Sequence, residues 1–373
     1  MSAPGSDIST SNVGFVAIGR NEGERLRRCL QSIPRSTGRT VYVDSGSVDG
    51  SIPLARGLGA EVVELDTSVP FTAARARNAG IARLLEGAGN DAAKSHPSGC
   101  STPSGVPPRR VFRSGSQRLE ADRAVDPIDF FLVLDGDCEL VPGFVEAALR
   151  VMVENPRTGI VCGRRRERHR EASVYNVLCD MEWNTPVGDA EACGGDALVR
   201  VAAFREVGGY DGSIIAGEEP ELCLRLRRRG FGVRRIDCDM TLHDAAMTKF
   251  SEWWRRAVRA GHAYAELYAL HRHWGREVRS ILFYGFVVPV IALAASPATS
   301  GLSLGLFAAH ALLYLRVARH RRRGGDRPRD AALYARFCVI AKFAQLAGAL
   351  RYSMNRIFRR RPAIIEYKQP RPA

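Results

Sequence analysis

The nine cysteines of this 373-residue chain form no Cys-x-x-Cys pair, which argues against a zinc site, and their scatter argues against a disulfide framework. Reduced thiols in a cytosolic compartment fit that usage. The first twelve residues lack the apolar core of an export signal and read as a disordered tail, so the domain that follows is not expected to be exported. Lysine is scarce, present only as Lys94, Lys249, Lys342 and Lys368, so arginine supplies nearly all of the formal charge of +14. Such a balance favours anionic partners: nucleotide phosphates, nucleic acid or an acidic membrane surface. The arginines cluster beside apolar runs and lack an interleaved aromatic platform, so nucleic acid is not expected among the partners. No fixed charge occurs between Arg279 and Arg316, a gap too long for an ordinary solvated surface.

What is present is an alternation of strands and helices. Strands are expected over 13–18, 40–43 and 61–65, and helices over 24–33 and 73–85. That order implies right-handed βαβ units in a doubly wound, mainly parallel, Rossmann-like α/β sheet. Residues 87–127, rich in Gly, Ser, Pro and Arg, read as a flexible insertion. The pattern resumes at Phe130-Phe131-Leu132-Val133-Leu134, an apolar run without helical period that reads as a strand buried on both faces. A helix over 142–155 and strands over 159–162 and 233–236 follow. The basic run Gly163 to Arg170 and the run Ala192 to Asp196 carry no predicted role.

The buried strand ends in Asp135-Gly136-Asp137. Ligands of open α/β sheets bind at the carboxyl edge, and paired aspartates there suit a divalent cation bridging to a diphosphate; a solvated turn is the plain alternative. Asp44, ending the second strand before Ser45-Gly46-Ser47-Val48-Asp49-Gly50, faces the same edge and reads as a ligand to a base or ribose, or else as a helix cap. Arg75 and Arg77 begin the next helix, where they meet a diphosphate or water. Glu218 and Glu219 precede a helix as catalytic acids or as partners of its dipole. His243 is a metal ligand or a structural histidine.

From about residue 246 the chain reads as a helical membrane-associated region. Trp253-Trp254-Arg255-Arg256 has the character of an interfacial helix. An apolar hairpin over about 281–317 is a tight transmembrane pair, a re-entrant pair or two helices of a soluble core. Arginines flank both outer ends and none lies in the connecting loop, so both ends are expected in the cytoplasm, at the cytoplasmic membrane. The segment 331–352 carries Arg336, Lys342 and Arg351 and is expected to lie along the membrane as an amphipathic helix.

Taken in order, these pieces resemble the membrane-associated bacterial members of glycosyltransferase family 2, which have the GT-A fold. The resemblance covers about residues 13–245. It rests on the Asn21-Glu22 loop, Val43 to Ser51, Ala76-Arg77-Asn78-Ala79-Gly80, the Asp135-Gly136-Asp137 counterpart of the DXD motif, and Gly217-Glu218-Glu219-Pro220-Glu221-Leu222. It implies a metal-dependent, inverting, hexosyltransferase-like enzyme that uses Mn or Mg and a nucleotide-sugar donor, a UDP-sugar first among them. By resemblance, Asn21 and Asp44 serve the nucleotide, Arg77 the phosphates, Asp135 the ribose or the metal, and Asp137 with His243 the metal. Glu219 aligns with the catalytic base, with Glu218 the second candidate. Ser45 and Glu219 depart from the family pattern, which usually has Asp at both places. The expected acceptor is a lipid-linked or envelope glycan, taken up by single addition. Two competing readings are a sugar nucleotidyltransferase, whose Gly-rich triphosphate loop is missing between Val13 and Glu24, and a catalytically silent membrane scaffold that binds nucleotide.

Overall fold

The computed structural model describes residues 12–34, 38–86 and 128–359. The expected insertion 87–127 and nearly all of the expected N-terminal tail lie outside the described residues. The first half alternates as its sequence pattern requires: β1 (Val13–Gly19), α1 (Glu24–Ser32), β2 (Thr40–Asp44), α2 (Ser51–Gly57), β3 (Glu61–Glu64), α3 (Ala73–Glu86) and β4 (Phe130–Asp135). The apolar runs of β1 and β4 are buried on both faces, as their lack of alternation predicts.

The second half continues with β5 (Cys138–Leu140), α4 (Phe144–Glu154), β6 (Thr158–Glu167), α5 (Val174–Glu182), β7 (Gly188–Asp189) and β8 (Ala197–Arg200). After these come α6 (Val201–Glu206), α7 (Glu218–Arg228) and β9 (Gly232–His243). The sheet order is β3-β2-β1-β4-β8-β6-β9-β5, with β7 paired to β9. Strands β3, β2, β1 and β4 are parallel. Strand β8 is antiparallel to both β4 and β6, so its start, rather than its end, lies at the carboxyl edge of β4. Strands β6 and β9 are parallel to each other and run five and seven residues beyond the expected ends at Cys162 and Ile236. The extensions are charged and bulged, with register shifts at Cys162/Arg164 and Arg164/Arg165, so they lack the apolar signature of a strand. They bring Glu167 opposite His243 at the same edge as Asp135.

The C-terminal region consists of α8 (Phe250–His271), α9 (Gly275–Leu282), a π-turn segment (Phe283–Val287), α10 (Val288–Ala294), α11 (Ala308–Arg323) and α12 (Pro328–Ile357). Helices α8 and α12 cross at backbone contact: a Cβ on Gly348 would stand 1.9 Å from the carbonyl oxygen of Val258. Helix α8 is also fastened to α7, because Glu221 accepts from His271 at 2.9 Å and from Arg225 at 2.6 Å. The apolar hairpin is largely exposed. Helix α11 buries no residue, and Leu293, Leu302 and Leu312 are 61%, 84% and 66% exposed. Its far end returns to the sheet domain, where Arg321 donates to the carbonyl of Met181 at 3.1 Å. Gly275–Ala294, Leu302–Arg323 and Pro328–Ile357 are each long and apolar enough to cross a bilayer. Helix α12 therefore qualifies as a span by length and composition, where the sequence reading expects a surface-lying helix.

Candidate active site

A cleft of about 850 Å3 opens at the carboxyl edge of the sheet. Asn21, Arg77, Asp135, Asp137, Glu218, Glu219 and His243 line it, so seven of the eight predicted site residues meet in one cavity. Asp44 does not. Its carboxylate turns into its own loop, accepting from the backbone N–H of Gly46 at 2.9 Å and of Ser47 at 2.8 Å, and from the hydroxyl of Tyr42 at 3.1 Å. Burial and the Asp44 charge raise the Tyr42 pKa, keeping that hydroxyl a donor. The loop is then laced to the cleft wall: Asn21 donates its backbone N–H to Ser47 Oγ at 2.9 Å and accepts from Val48 N–H at 2.8 Å. Arg75 ties down the preceding loop through the carbonyls of Val69 and Pro70.

Arg77 is the electrostatic hub. Its guanidinium reaches Glu218 at 2.7 Å, Glu219 at 2.9 Å and Asp135 at 3.0 Å, and only 2% of its side chain is exposed. Burial alone would lower its pKa, but the carboxylates of Glu219, Asp135 and Glu218 outweigh burial and hold it charged. Glu219 is pushed the other way. Burial first, then the neighbouring Glu218 charge, raise its pKa above the ordinary carboxylate value, and Arg77 offsets part of the rise.

Three residues without a predicted role complete the edge. Arg165 meets Asp196 at 2.8 Å and Asp135 at 3.4 Å, with its guanidinium over the Trp183 ring. Asp196, fully buried, also accepts from the backbone N–H of Asp135 at 3.0 Å and the hydroxyl of Thr241 at 2.7 Å, so it stitches together β4, β6 and β9. Gly195 permits the approach, since a Cβ there would stand 2.6 Å from Asp135 Oδ2 and 2.7 Å from Arg77 Nη2. The glycines before Asp196 were the available signal, but their meaning depends on β8 running antiparallel.

The third such residue is Glu167, whose side chain is fully buried. It accepts from the backbone N–H of Ala245 at 3.0 Å and of His169 at 3.2 Å, and from the Asn176 amide at 3.2 Å. Its Oε2 faces His243 Nδ1 at 3.5 Å. A carboxylate among donors assigns the proton to Nδ1 and the lone pair to Nε2, the arrangement by which a second carboxylate orients a metal-binding histidine. Nε2 lies 3.4 Å from Asp137 Oδ2, a little wider than the roughly 3.0 Å between adjacent octahedral ligands with bonds of about 2.1 Å. Two lone-pair atoms at that distance fit a cation between them. Cys138 lies within the same cluster, where burial and then Asp196 raise its thiol pKa well above normal. Asp135 falls into a separate cluster with Asp196, held by arginines. The oxygen and nitrogen donors of Asp137 and His243 suit Mn2+ or Mg2+.

The fold is similar to that of a mannosyltransferase from Pyrobaculum calidifontis in complex with GDP-Man and Mn2+, with a TM-score of 0.54 and 18% identity over 92% of this chain and 87% of that one. A glucosyl-3-phosphoglycerate synthase from Mycobacterium tuberculosis, in complex with Mn2+, UDP and glucosyl-3-phosphoglycerate, matches at a TM-score of 0.40 and 15% identity over 72% of this chain and 85% of that one. The first likeness shows the GT-A type of α/β fold. No protein-family model and no curated protein matches the chain.

Proposed function

We propose that this chain is a metal-dependent glycosyltransferase that moves a sugar from a nucleotide-sugar donor to a hydroxyl acceptor at the cytoplasmic face of a membrane, with inversion at the anomeric carbon. The observation that carries the reading is the convergence of Arg77, Asp137, Glu219 and His243 on one cleft. The Mn2+ and nucleotide sugar of the Pyrobaculum enzyme, whose fold this chain shares, agree with it.

Asp137 and His243 would hold the cation, which when bound offsets the negative charge gathering on the departing diphosphate. Arg77 supplies a fixed positive charge to the same phosphates. Glu219 takes the acceptor proton, and its raised pKa makes it a stronger base than an exposed glutamate once ionised. The Arg77 network links these duties. A diphosphate competes with Glu219 for the guanidinium, so donor arrival frees the carboxylate that must accept the proton. Asn21 stands on the nucleotide side, and Asp44 acts by bracing the loop behind it. A single displacement by an oxygen on the far face inverts the anomeric centre. The apolar hairpin and the arginine-rich flanks support a membrane-borne acceptor and favour a lipid-linked or envelope glycan.

The test is a panel of UDP- and GDP-sugars incubated with the full chain, Mn2+ and a membrane lipid extract. Release of nucleoside diphosphate that needs the extract, stops on chelation and restarts with Mn2+ is expected. Absence of both release and Mn2+-dependent nucleotide binding across the panel would sink the assignment.

A further inference from the structure

The two limbs of the apolar hairpin have a fixed register. His310 donates through Nε2 to the carbonyl of Tyr284 at 2.9 Å, and Ser303 donates its hydroxyl to the carbonyl of Ala292 at 2.7 Å. The limbs therefore run side by side in opposite directions, each rising about 1.5 Å per residue. Followed toward the sheet domain, this pairing sets Arg279 level with Arg316 and Arg276 level with Arg319. Arg322 and Arg323 extend the same layer by about one more turn of α11.

All six of these arginines are exposed. Among the described residues, none of them makes an ion pair or a side-chain hydrogen bond. The acids nearest in sequence are engaged or withdrawn: Asp326 holds Arg321 at 2.5 Å, Asp330 holds Arg170 at 2.7 Å, and Glu277 is half-buried. Immediately toward the hairpin tip, exposure passes to apolar residues, Leu312 and Leu315 on one limb and Leu282, Phe283 and Phe286 on the other. The step from exposed hydrocarbon to exposed guanidinium thus falls at one height on two separate helices. From Arg316 to Arg323 the layer is about 10 Å deep, of the order of the roughly 5–8 Å of headgroups on each side of a hydrocarbon core. Guanidinium groups at that depth meet lipid phosphates bidentately, and a net negative headgroup layer adds a long-range attraction.

We propose that the collar formed by Arg276, Arg279, Arg316, Arg319, Arg322 and Arg323 binds the headgroups of anionic phospholipids around the base of the hairpin. The proposal rests on the membrane reading above and is independent of the transfer chemistry, since no collar residue lines the catalytic cleft.

The experiment reconstitutes the full chain into phosphatidylcholine liposomes carrying a trace of spin-labelled phosphatidylglycerol or spin-labelled phosphatidylcholine. Lipid held by the protein is read as the motionally restricted fraction. Phosphatidylglycerol is expected to associate at least about threefold more strongly at low salt, and nearly equally at about 1 M NaCl, where screening is short-ranged. Combining Arg316→Gln, Arg319→Gln, Arg322→Gln and Arg323→Gln should erase the preference, and the corresponding Arg→Lys combination should keep most of it. These exposed, unpaired positions tolerate replacement without loss of folding. Arg150→Gln, at an exposed position of α4, should leave the preference intact. Equal association of the two lipids at low salt, or an unchanged preference in the combined Gln variant, would overturn the proposal. Binding of a short DNA duplex through the same four arginines, without a lipid preference, would give the collar to nucleic acid instead. Failure of the chain to float with the liposomes would also overturn it, and would remove the membrane reading. Mn2+-dependent binding of UDP or GDP in that sample would still leave the transferase reading standing.

Discussion

At the sheet edge the buried arginines have their opposites within contact: Arg77 meets Asp135, Glu218 and Glu219, and Arg165 meets Asp196. At the helical end of the same cleft, Arg256 has Glu182, while Lys342 makes no ion pair among the described residues. The difference is physical. Charges removed from water must be compensated, and the arginines of the sheet edge are compensated internally before any ligand arrives. The helical end shows fewer such pairs among the described residues.

The most damaging way to break this contrast is at the base. Glu219→Gln keeps the shape and an acceptor for Arg77 but removes the proton acceptor, so turnover should fall about 10^2- to 10^4-fold. Mn2+-dependent nucleotide binding, measured by calorimetry, should persist. Turnover near wild type would mean that another group takes the proton.

Next in size is the internal compensation of the sheet edge. Asp196→Ala leaves Arg165 buried without its closest partner and strips the backbone N–H of Asp135 and the hydroxyl of Thr241 of their acceptor. A loss of about 3–5 kcal/mol in chemical denaturation is expected. A loss below about 1 kcal/mol would place Asp196 with the ordinary surface ion pairs.

Neither Asp196 nor Arg165 is legible in the sequence as a site residue, and the reason is topological. Val13 to Ile18 and Phe130 to Leu134 announce themselves because two-sided burial writes an unbroken apolar run, and Asp135 and Asp137 follow from where such a strand ends. Glu219 and Arg77 are legible through motif order. Asp196 reaches the edge only because β8 enters the sheet antiparallel, a non-local fact that no residue near it encodes. Glu167 and His243 are paired by strand extensions whose charged residues hide their β character. The turn that absorbs the Asp44 carboxylate is likewise a matter of backbone closure, since the same Asp-Ser-Gly-Ser serves a ligand-binding or a self-bonding loop equally well.

A smaller effect is expected behind the metal. Glu167→Gln replaces a group that only accepts with one that must also donate, so one of its N–H partners is opposed and His243 loses its fixed tautomer. Mn2+ affinity, read by calorimetry without turnover, should weaken about 10- to 100-fold. Retained affinity would show that Asp137 and His243 need no such support.

The finest probe is the acid limb of the pH profile. Protonated Glu219 cannot accept the acceptor's proton, so activity should be lost as pH falls through its pKa, which lies above the ordinary carboxylate value. Burial is the larger cause of that rise and the charge of Glu218 the next. Glu218→Gln removes the second cause while its amide oxygen can still accept from Arg77. The Glu219 pKa should then drop, and the acid limb should move to lower pH with the plateau largely kept. The same variant decides between the two candidate bases. If Glu218 itself takes the proton, the limb will not shift; the plateau will collapse instead, and Glu219→Gln will be the variant that keeps its activity.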